Sequence, residues 1–365
     1  MKATARFSMP NIARYSSRIS LCIQLLSLFV LGLHGAPGRA QNAVVLVGSG
    51  STVPAPLYNR LAQEYSKRNP DIQMHYLPVG TGEGIKQISH GVGDFAAGEA
   101  QLSDKERKDG SLVELPLVLI GIVPIYNLPE INSELRLSGE VLAEIFLGDL
   151  KTWNAPQIAR LNPDITLPSL PIKVINRPEG KGSNYVFTGF LSKTSSKFRT
   201  QVGTSASPKW PVGEPAERSS DMVDKVKSNP GSIGYVEYQY AAKSNVSQAA
   251  VLNPSGKFVK VSAESITAAC QAAEAPRWNS LTASLSNSPG ADSFPITSFS
   301  WIYLRTSPSD SARAVALADF LNWMYTGGQQ YASQEGYSEL PPALLAVVRE
   351  KLKDLREAPV ARKQP

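Results

Sequence analysis

The stretch "VINRPEGKGSNYVF", Val174–Phe187, places one arginine, one lysine and two glycines within the seven residues Arg177 to Ser183. A strand-like apolar run leads into it and a helix-like apolar run leads out. Glycine lets a backbone approach a ligand closely. The first N–H groups of a helix lack intrahelical partners and carry the positive end of its dipole. A strand that ends in a glycine-rich turn and opens a helix is therefore a natural seat for an anion. The same arrangement occurs twice more, in "VGSGSTVPAP" (47–56) and "LPVGTGEGIKQI" (77–88). Three such turns can converge on one anion if two lobes face each other.

Nucleotide motifs do not fit these turns. A P-loop needs its lysine followed by serine or threonine, but Gly182 follows Lys181 and Ile175 stands where the first glycine would fall. The dinucleotide fingerprint G-x-G-x-x-G fails as well, because Val53 occupies the third glycine position after Gly48 and Gly50. A nucleotide-hydrolysing enzyme is not expected.

Around the turns, strand-like and helix-like segments alternate. "AVVLV" (43–47) precedes a helical pattern with Leu57, Leu61 and Tyr65 on one face, and "DIQMHYLPVG" precedes the helix "EGIKQISHG". "GDFAAGEA", "LPLVLIGIVPIYN", "IKVINR", "GSIGYVEY" and "TSFSWIYLR" read as further strands, and a helix is predicted from Ser183 to Leu191. Strands separated by helices imply an α/β protein with parallel sheets covered on both faces. With 365 residues, 42% hydrophobic and 19% charged, the chain is globular and long enough for two domains. The tail beyond Leu355 reads as unstructured.

The first forty residues read differently. Arg6, Arg14 and Arg18 precede the apolar run Ile19–Leu33, and small residues follow it up to Ala40. Basic, apolar, then small is the order of a secretory signal, with cleavage expected after Ala40. Fifteen apolar residues fall short of the roughly 20 that a spanning helix needs. Removing the five basic residues of 1–40 leaves 37 less 5, or 32, basic side chains against 31 acidic ones. The excess positive charge belongs mainly to the leader, so nucleic-acid binding loses its usual footprint. Cys22 lies within the apolar run, which leaves Cys270 as a single thiol in a helical pattern and a core residue by expectation. His75 and His90 are too few for a metal site and lie in positions that suit a surface or core role better than a hydrolase triad. No metal and no cofactor are expected.

Taken together, "GSGSTVPAPLY", "VGTGEGIKQI", "GDFAAGEAQLSD", "FLGDLKTWNAPQIARLNP", "NRPEGKGSNYVFTGFL", "WPVG", "PGSIGYVEY" and "FPITS" resemble the periplasmic phosphate-binding proteins of Pst-type ABC transporters, in order and in spacing. The resemblance covers nearly all of the chain after residue 40. It implies the type II periplasmic-binding-protein fold, two lobes with the ligand cleft between them. Lobe 1 would be 41–121 plus 297–365 and lobe 2 would be 122–296. It also implies a periplasmic monomer that captures inorganic phosphate and delivers it to a permease and an ATPase, and that is not an enzyme. Other readings are a binder of another oxyanion or a phosphorylated small molecule, a sensor or scavenger without a transporter, and, more remotely, a secreted phosphatase.

By the same resemblance, Thr52 and Val53 of the first turn and Thr81 of the second would bind phosphate. Glu99 would stand where the family has an aspartate, and Arg177 would bind the anion with Glu179 bracing it. Lys181, Gly182 and Ser183 would complete the third turn. A carboxylate beside an anion makes sense once the proton of hydrogen phosphate is counted: only an acceptor satisfies that O–H, and sulfate lacks it. Three positions depart from the family pattern. Glu99 is one methylene longer, which moves its oxygens outward by roughly 1.5 Å. Lys181 replaces a small hydroxyl residue, and Glu83 stands where a small residue is usual. Either Glu99 or Glu83 pairs with Lys181, or Lys181 faces solvent at the rim and steers anions inward. Trp153, Trp210, Tyr235 and Tyr238 are expected to pack lobe 2.

Overall fold

Apolar runs bounded by glycine and proline become the strands of this protein. The computed structural model describes residues 43–108, 111–131, 133–273, 284–307 and 310–357. The expected leader, with its cleavage site at Ala40, and the tail after Glu357 lie outside the described residues. The strands are β1 (Val44–Gly50), β2 (Ile72–Leu77), β3 (Phe95–Gly98), β4 (Leu112–Tyr126), β5 (Arg136–Leu137), β6 (Lys173–Asn176) and β7 (Glu214–Pro215). They continue with β8 (Ser232–Glu237), β9 (Ser247–Gln248), β10 (Ala250–Leu252), β11 (Phe258–Val259) and β12 (Thr297–Arg305).

One nine-stranded sheet runs in the order β2-β1-β3-β12-β4-β8-β6-β7, with β9 on β4, while β11, β10 and β5 form a small second sheet. Pairing is parallel among β2, β1 and β3 and again among β8, β6 and β7. It is antiparallel wherever β4 or β12 takes part in this sheet. The expectation of purely parallel sheets therefore fails at the middle. The chain passes through the centre once outward on β4 and once back on β12, and two such passes must run in opposite directions.

Strand β4 carries the architecture. Its first part, Leu112 to Gly121, pairs with β12, and its last part, Ile122 to Tyr126, pairs with β8. Almost every residue of β4 is buried, as the near-continuous apolar sequence requires of a strand covered on both faces. Each such leucine, isoleucine or valine contributes about 1.5–3 kcal/mol on full burial.

Helices cover the sheet. In α1 (Ala55–Arg68), the stripe Leu57, Tyr58, Leu61 and Tyr65 is buried, Pro56 sits in the first turn, and Lys67 and Arg68 face the negative end of the dipole. The glycine-rich turns open α2 (Thr81–Ser89) and α3 (Gly182–Thr194). Further along lie α4 (Ser219–Ser228), α5 (Tyr238–Ser244), α6 (Ala263–Ala272) and the C-terminal α7 (Pro342–Glu357). Cys270 of α6 is fully buried, and burial pushes its thiol up to about 12. No helix among the described residues is long and apolar enough to cross a membrane.

Candidate functional site

All three glycine-rich turns leave the C-terminal end of a parallel strand, β1, β2 or β6, and the fold brings them together. The Gly80 N–H donates to the Gly50 carbonyl at 2.7 Å, which ties the second turn to the first. Ser51 N–H donates to the Ala97 carbonyl at 2.8 Å, so the first turn is also tied to β3, whose end carries Glu99. The third turn arrives from the other side. An ideal Cβ placed on Gly182 would lie 1.6 Å from Glu99 Oε2 and 2.8 Å from Thr81 Oγ1. Any side chain at 182 would force a shift, because the first turn of α3 abuts the carboxyl group of Glu99.

Glu99, Thr81, Arg177 and Ser183 are each only about 1% exposed. Thr81 Oγ1 donates to Glu99 Oε2 at 3.2 Å, and Ser300 Oγ donates to Oε1 at 3.1 Å. Ser51 adds a third hydroxyl bond. Burial outweighs these bonds, and with the nearby Glu237 charge it pushes the Glu99 carboxyl up to about 7. Ser300, in the middle of β12, was not evident in the sequence, since a serine in an apolar strand carries no motif.

Arg177 is held firmly by its backbone. Its N–H meets the Tyr235 hydroxyl at 3.2 Å, and its carbonyl accepts from Trp210 Nε1 at 3.1 Å and from Asn184 Nδ2 at 3.4 Å. Asn184 also donates to the carbonyls of Pro178 and Ala206 at 2.7 and 3.0 Å, and accepts from the Tyr235 hydroxyl. Tyr235 stacks on Phe187 with ring centroids 4.2 Å apart, and Trp210 packs against Phe146 and Tyr235. Trp153 is buried and Tyr238 half-buried in the same half. Tyr235 and Trp210 thus pack as expected and also fix the turn that carries the guanidinium.

The guanidinium itself is poorly satisfied by protein. Nη1 lies 3.5 Å from Ser219 Oγ at the start of α4, while Nε and Nη2 are buried without a hydrogen-bond partner. The bracing contact expected from Glu179 does not form. Pro178 and Gly180, the latter at φ +79°, turn the chain outward, and Glu179 between them is exposed. Neither proposed partner of Lys181 is its partner. Lys181 Nζ lies 3.8 Å from Glu217 Oε2, on the segment before α4. Glu83 is exposed and engages Lys86 and Gln87 along its own helix, and Glu99 is taken by hydroxyls. The lysine side chain is 19% exposed, so it is largely sheltered at the edge of the turn. Burial and the charge of Arg177 lower its pKa, partly offset by Glu217.

The remaining predicted residues sit in the first turn. Ser51 Oγ accepts from Val53 N–H at 3.1 Å, and the Val53 carbonyl accepts from the Tyr337 hydroxyl at 2.6 Å. The Val53 side chain is in the core, and its backbone N–H already donates to Ser51 Oγ. Thr52 is half-buried, and its hydroxyl has no partner among the described residues. His75 and His90 are both exposed, and no cluster of three or more metal-ligating side chains occurs among the described residues. Glu237, at the end of β8, is a residue that sequence reasoning missed: it is buried, and neither carboxylate oxygen has a hydrogen-bond partner. The signal for it existed, in the carboxylate that closes the apolar run "GSIGYVEY" at the same strand end as Arg177.

Comparison with known proteins agrees with this geometry. Residues 36–327 match the PBP superfamily domain. A phosphate-binding protein PstS from Haemophilus influenzae is 34% identical over 328 residues, which span 90% of this chain and 97% of the relative. The same-named protein of Pasteurella multocida is 35% identical and spans 84% and 89%. Among solved structures, a high-affinity periplasmic phosphate-binding protein (PfluDING) bound with phosphate superposes with a TM-score of 0.66 at 18% identity, covering 88% of this chain and all of that one. An ABC-type phosphate transport receptor from Vibrio cholerae superposes with a TM-score of 0.57 at 18% identity, covering 81% of this chain and all of that one. The two-lobed periplasmic-binding-protein fold expected from the sequence is therefore the fold of this protein. With the converging turns and the buried Arg177 at the end of β6, these matches lead to one conclusion: the chain belongs to the PBP superfamily and, within it, to the family of the phosphate-binding protein PstS.

Proposed function

We propose that this protein is a periplasmic receptor that captures inorganic phosphate in the cleft between its lobes and delivers it to an ABC-type permease and ATPase. It works as a binding protein and not as an enzyme, with lobe 1 comprising 41–121 and 297–365 and lobe 2 comprising 122–296. The observation that carries the reading is the buried Arg177 guanidinium, whose Nε and Nη2 have no protein partner. Arginine cannot shed its proton, and a buried charge without an opposite charge is costly. A tetrahedral oxyanion matches its planar fork.

Other donors complete a cradle for such an anion. The N–H groups that open α3 at Gly182 and Ser183 and the Thr52 hydroxyl lie on the converging turns. About four charge-assisted hydrogen bonds of roughly 1.5–3 kcal/mol each, after the costs of association, yield micromolar affinity or better. Lys181, largely sheltered beside Glu217, steers anions toward the turn.

Calorimetric titration of the purified protein at neutral pH tests the proposal. Phosphate should bind with a dissociation constant of about a micromolar or below, and sulfate about a hundredfold more weakly. Arg177→Met should remove phosphate binding while leaving the unliganded protein at least as stable, because an apolar isostere needs no counter-charge. Saturable sulfate binding as tight as that of phosphate would defeat the assignment.

A further inference from the structure

The contact of α3 with Glu99 continues for one more turn of the helix. Tyr185 stands three residues after Gly182, on the same face of α3. Gln101 stands two residues after Glu99, on the chain that leaves β3. The Gln101 main-chain N–H donates to the Tyr185 hydroxyl. The segment assigned to lobe 2 thus meets the segment assigned to lobe 1 twice in succession, once at the anion turn and once just beyond it. The second turn makes a further approach, since an ideal Cβ on Gly80 would lie 3.0 Å from the Gly180 carbonyl oxygen.

The lobe 1 side of this contact is held in place on both flanks of Gln101. The Ala100 carbonyl accepts from the Tyr303 hydroxyl of β12, and the Leu102 N–H donates to Glu114 Oε2 at 2.7 Å. Glu114, on β4, is in turn held by Arg107 Nη2 at 2.6 Å. Tyr185 is half-buried and lies close enough to Glu114 and Arg107 to feel both charges, which sets its hydroxyl over lobe 1. Past this point the two walls part. A cavity of about 230 Å³ separates Val186, Gly189 and Lys193 of α3 from Phe299 and Trp301 of β12, and Tyr185 and Gln101 share its lining. Glu99 borders this cavity too, but Thr52, Arg177 and Ser183 do not. Tyr185 therefore grips lobe 1 outside the cradle of anion donors.

We propose that Tyr185 is a positioning residue for phosphate retention: its hydroxyl clasps Gln101 across the shut cleft and sets how long the lobes stay closed, without touching the anion. This rests on the reading of the cleft as a phosphate site and deepens it. A bond made only when the lobes meet stabilises the form that holds the ligand, and apparent affinity follows the population of that form. Encounter takes place with the lobes apart, so the clasp acts on escape rather than on capture. Tyrosine suits the task, because a stiff apolar ring carries one polar tip to a fixed distance. The fixed main chain of Gln101 gives that tip a partner whose position does not depend on a flexible side chain.

The test compares wild type with Tyr185→Phe, which keeps the ring and removes the hydroxyl. Release of radiolabelled inorganic phosphate into excess unlabelled phosphate should be about three- to tenfold faster in the variant, the loss of one hydrogen bond. The association rate and the phosphate-over-sulfate ratio should each stay within about twofold, and the melting temperature of the ligand-free protein should not change. Equal release rates overturn the clasp. So does faster release accompanied by a lost phosphate-over-sulfate ratio or a lower ligand-free melting temperature, since Tyr185 would then act at the anion or on the fold. Failure of the wild type to bind phosphate overturns the phosphate reading and the clasp with it, so the two failures are told apart. Should Tyr185→Phe not fold, crystals of the wild type with and without phosphate decide. Contact between Tyr185 and Gln101 in the loaded form alone supports the role, and contact in both forms or in neither removes it.

Discussion

At the scale of single residues, the Glu99 carboxyl makes the sharpest statement about pH. Its pKa is raised to about 7 by burial, against an ordinary value of 4.5. The folded state therefore holds a proton that the unfolded chain releases between those two values. Stability is greatest below the unfolded pKa and falls as pH rises toward about 7, where the loss levels off. Glu99→Gln cannot titrate, so chemical denaturation of the ligand-free variant from pH 4.5 to 7.5 should show a flatter profile than wild type, by a few kcal/mol across that window. Parallel profiles would mean that Glu99 is ionised throughout. Legibility at this scale was uneven. Thr81, Glu99 and Arg177 stood out through the family resemblance of the segments that carry them. Glu237 and Ser300 did not, because each follows or interrupts an apolar strand, and only the folded register shows what they face. The partner of Lys181 was out of reach for the same reason: Glu217 is distant in sequence and carries no motif.

At the scale of elements, the strand–turn–helix units were legible because three local signals agree in each: an apolar run, glycines, then helical periodicity. The helix predicted from Ser183 to Leu191 runs from Gly182 to Thr194, and the pattern Leu57, Leu61, Tyr65 is the buried face of α1. What composition could not reveal is that the central pairings are antiparallel, since direction depends on how the chain returns rather than on any strand's own sequence. The close approach of α3 to Glu99 makes a firm prediction. In Gly182→Ala, the new methyl would clash with Glu99 Oε2 and with Thr81, so either α3 or the Glu99 carboxyl must shift out of the site. Phosphate affinity should fall by about tenfold or more, while the melting temperature of the ligand-free protein changes by only a few degrees. Unaltered affinity would show that α3 does not close on the anion.

At the scale of the whole molecule, β4 belongs to both halves of the sheet, changing partner between Gly121 and Ile122. Two halves that share one hydrogen-bonded strand cannot unfold independently without breaking it. Calorimetric unfolding of the ligand-free protein should thus be a single transition, with calorimetric and van't Hoff enthalpies in agreement. Two resolved transitions would show that the halves are energetically separate despite the shared strand. The same continuity explains why no linker was visible in the sequence: the passage between halves is made of apolar strand, which reads like any core segment.

Cys270 has a consequence of its own. A thiol sealed within α6 leaves the described residues nothing to offer to disulfide exchange; the other cysteine of the sequence, Cys22, lies outside them. Cohesion among the described residues rests on apolar contact, hydrogen bonds and ion pairs, so a denatured preparation needs no oxidant to regain it. Its one covalent hazard is bridging between neighbouring chains before that sulfur is enclosed.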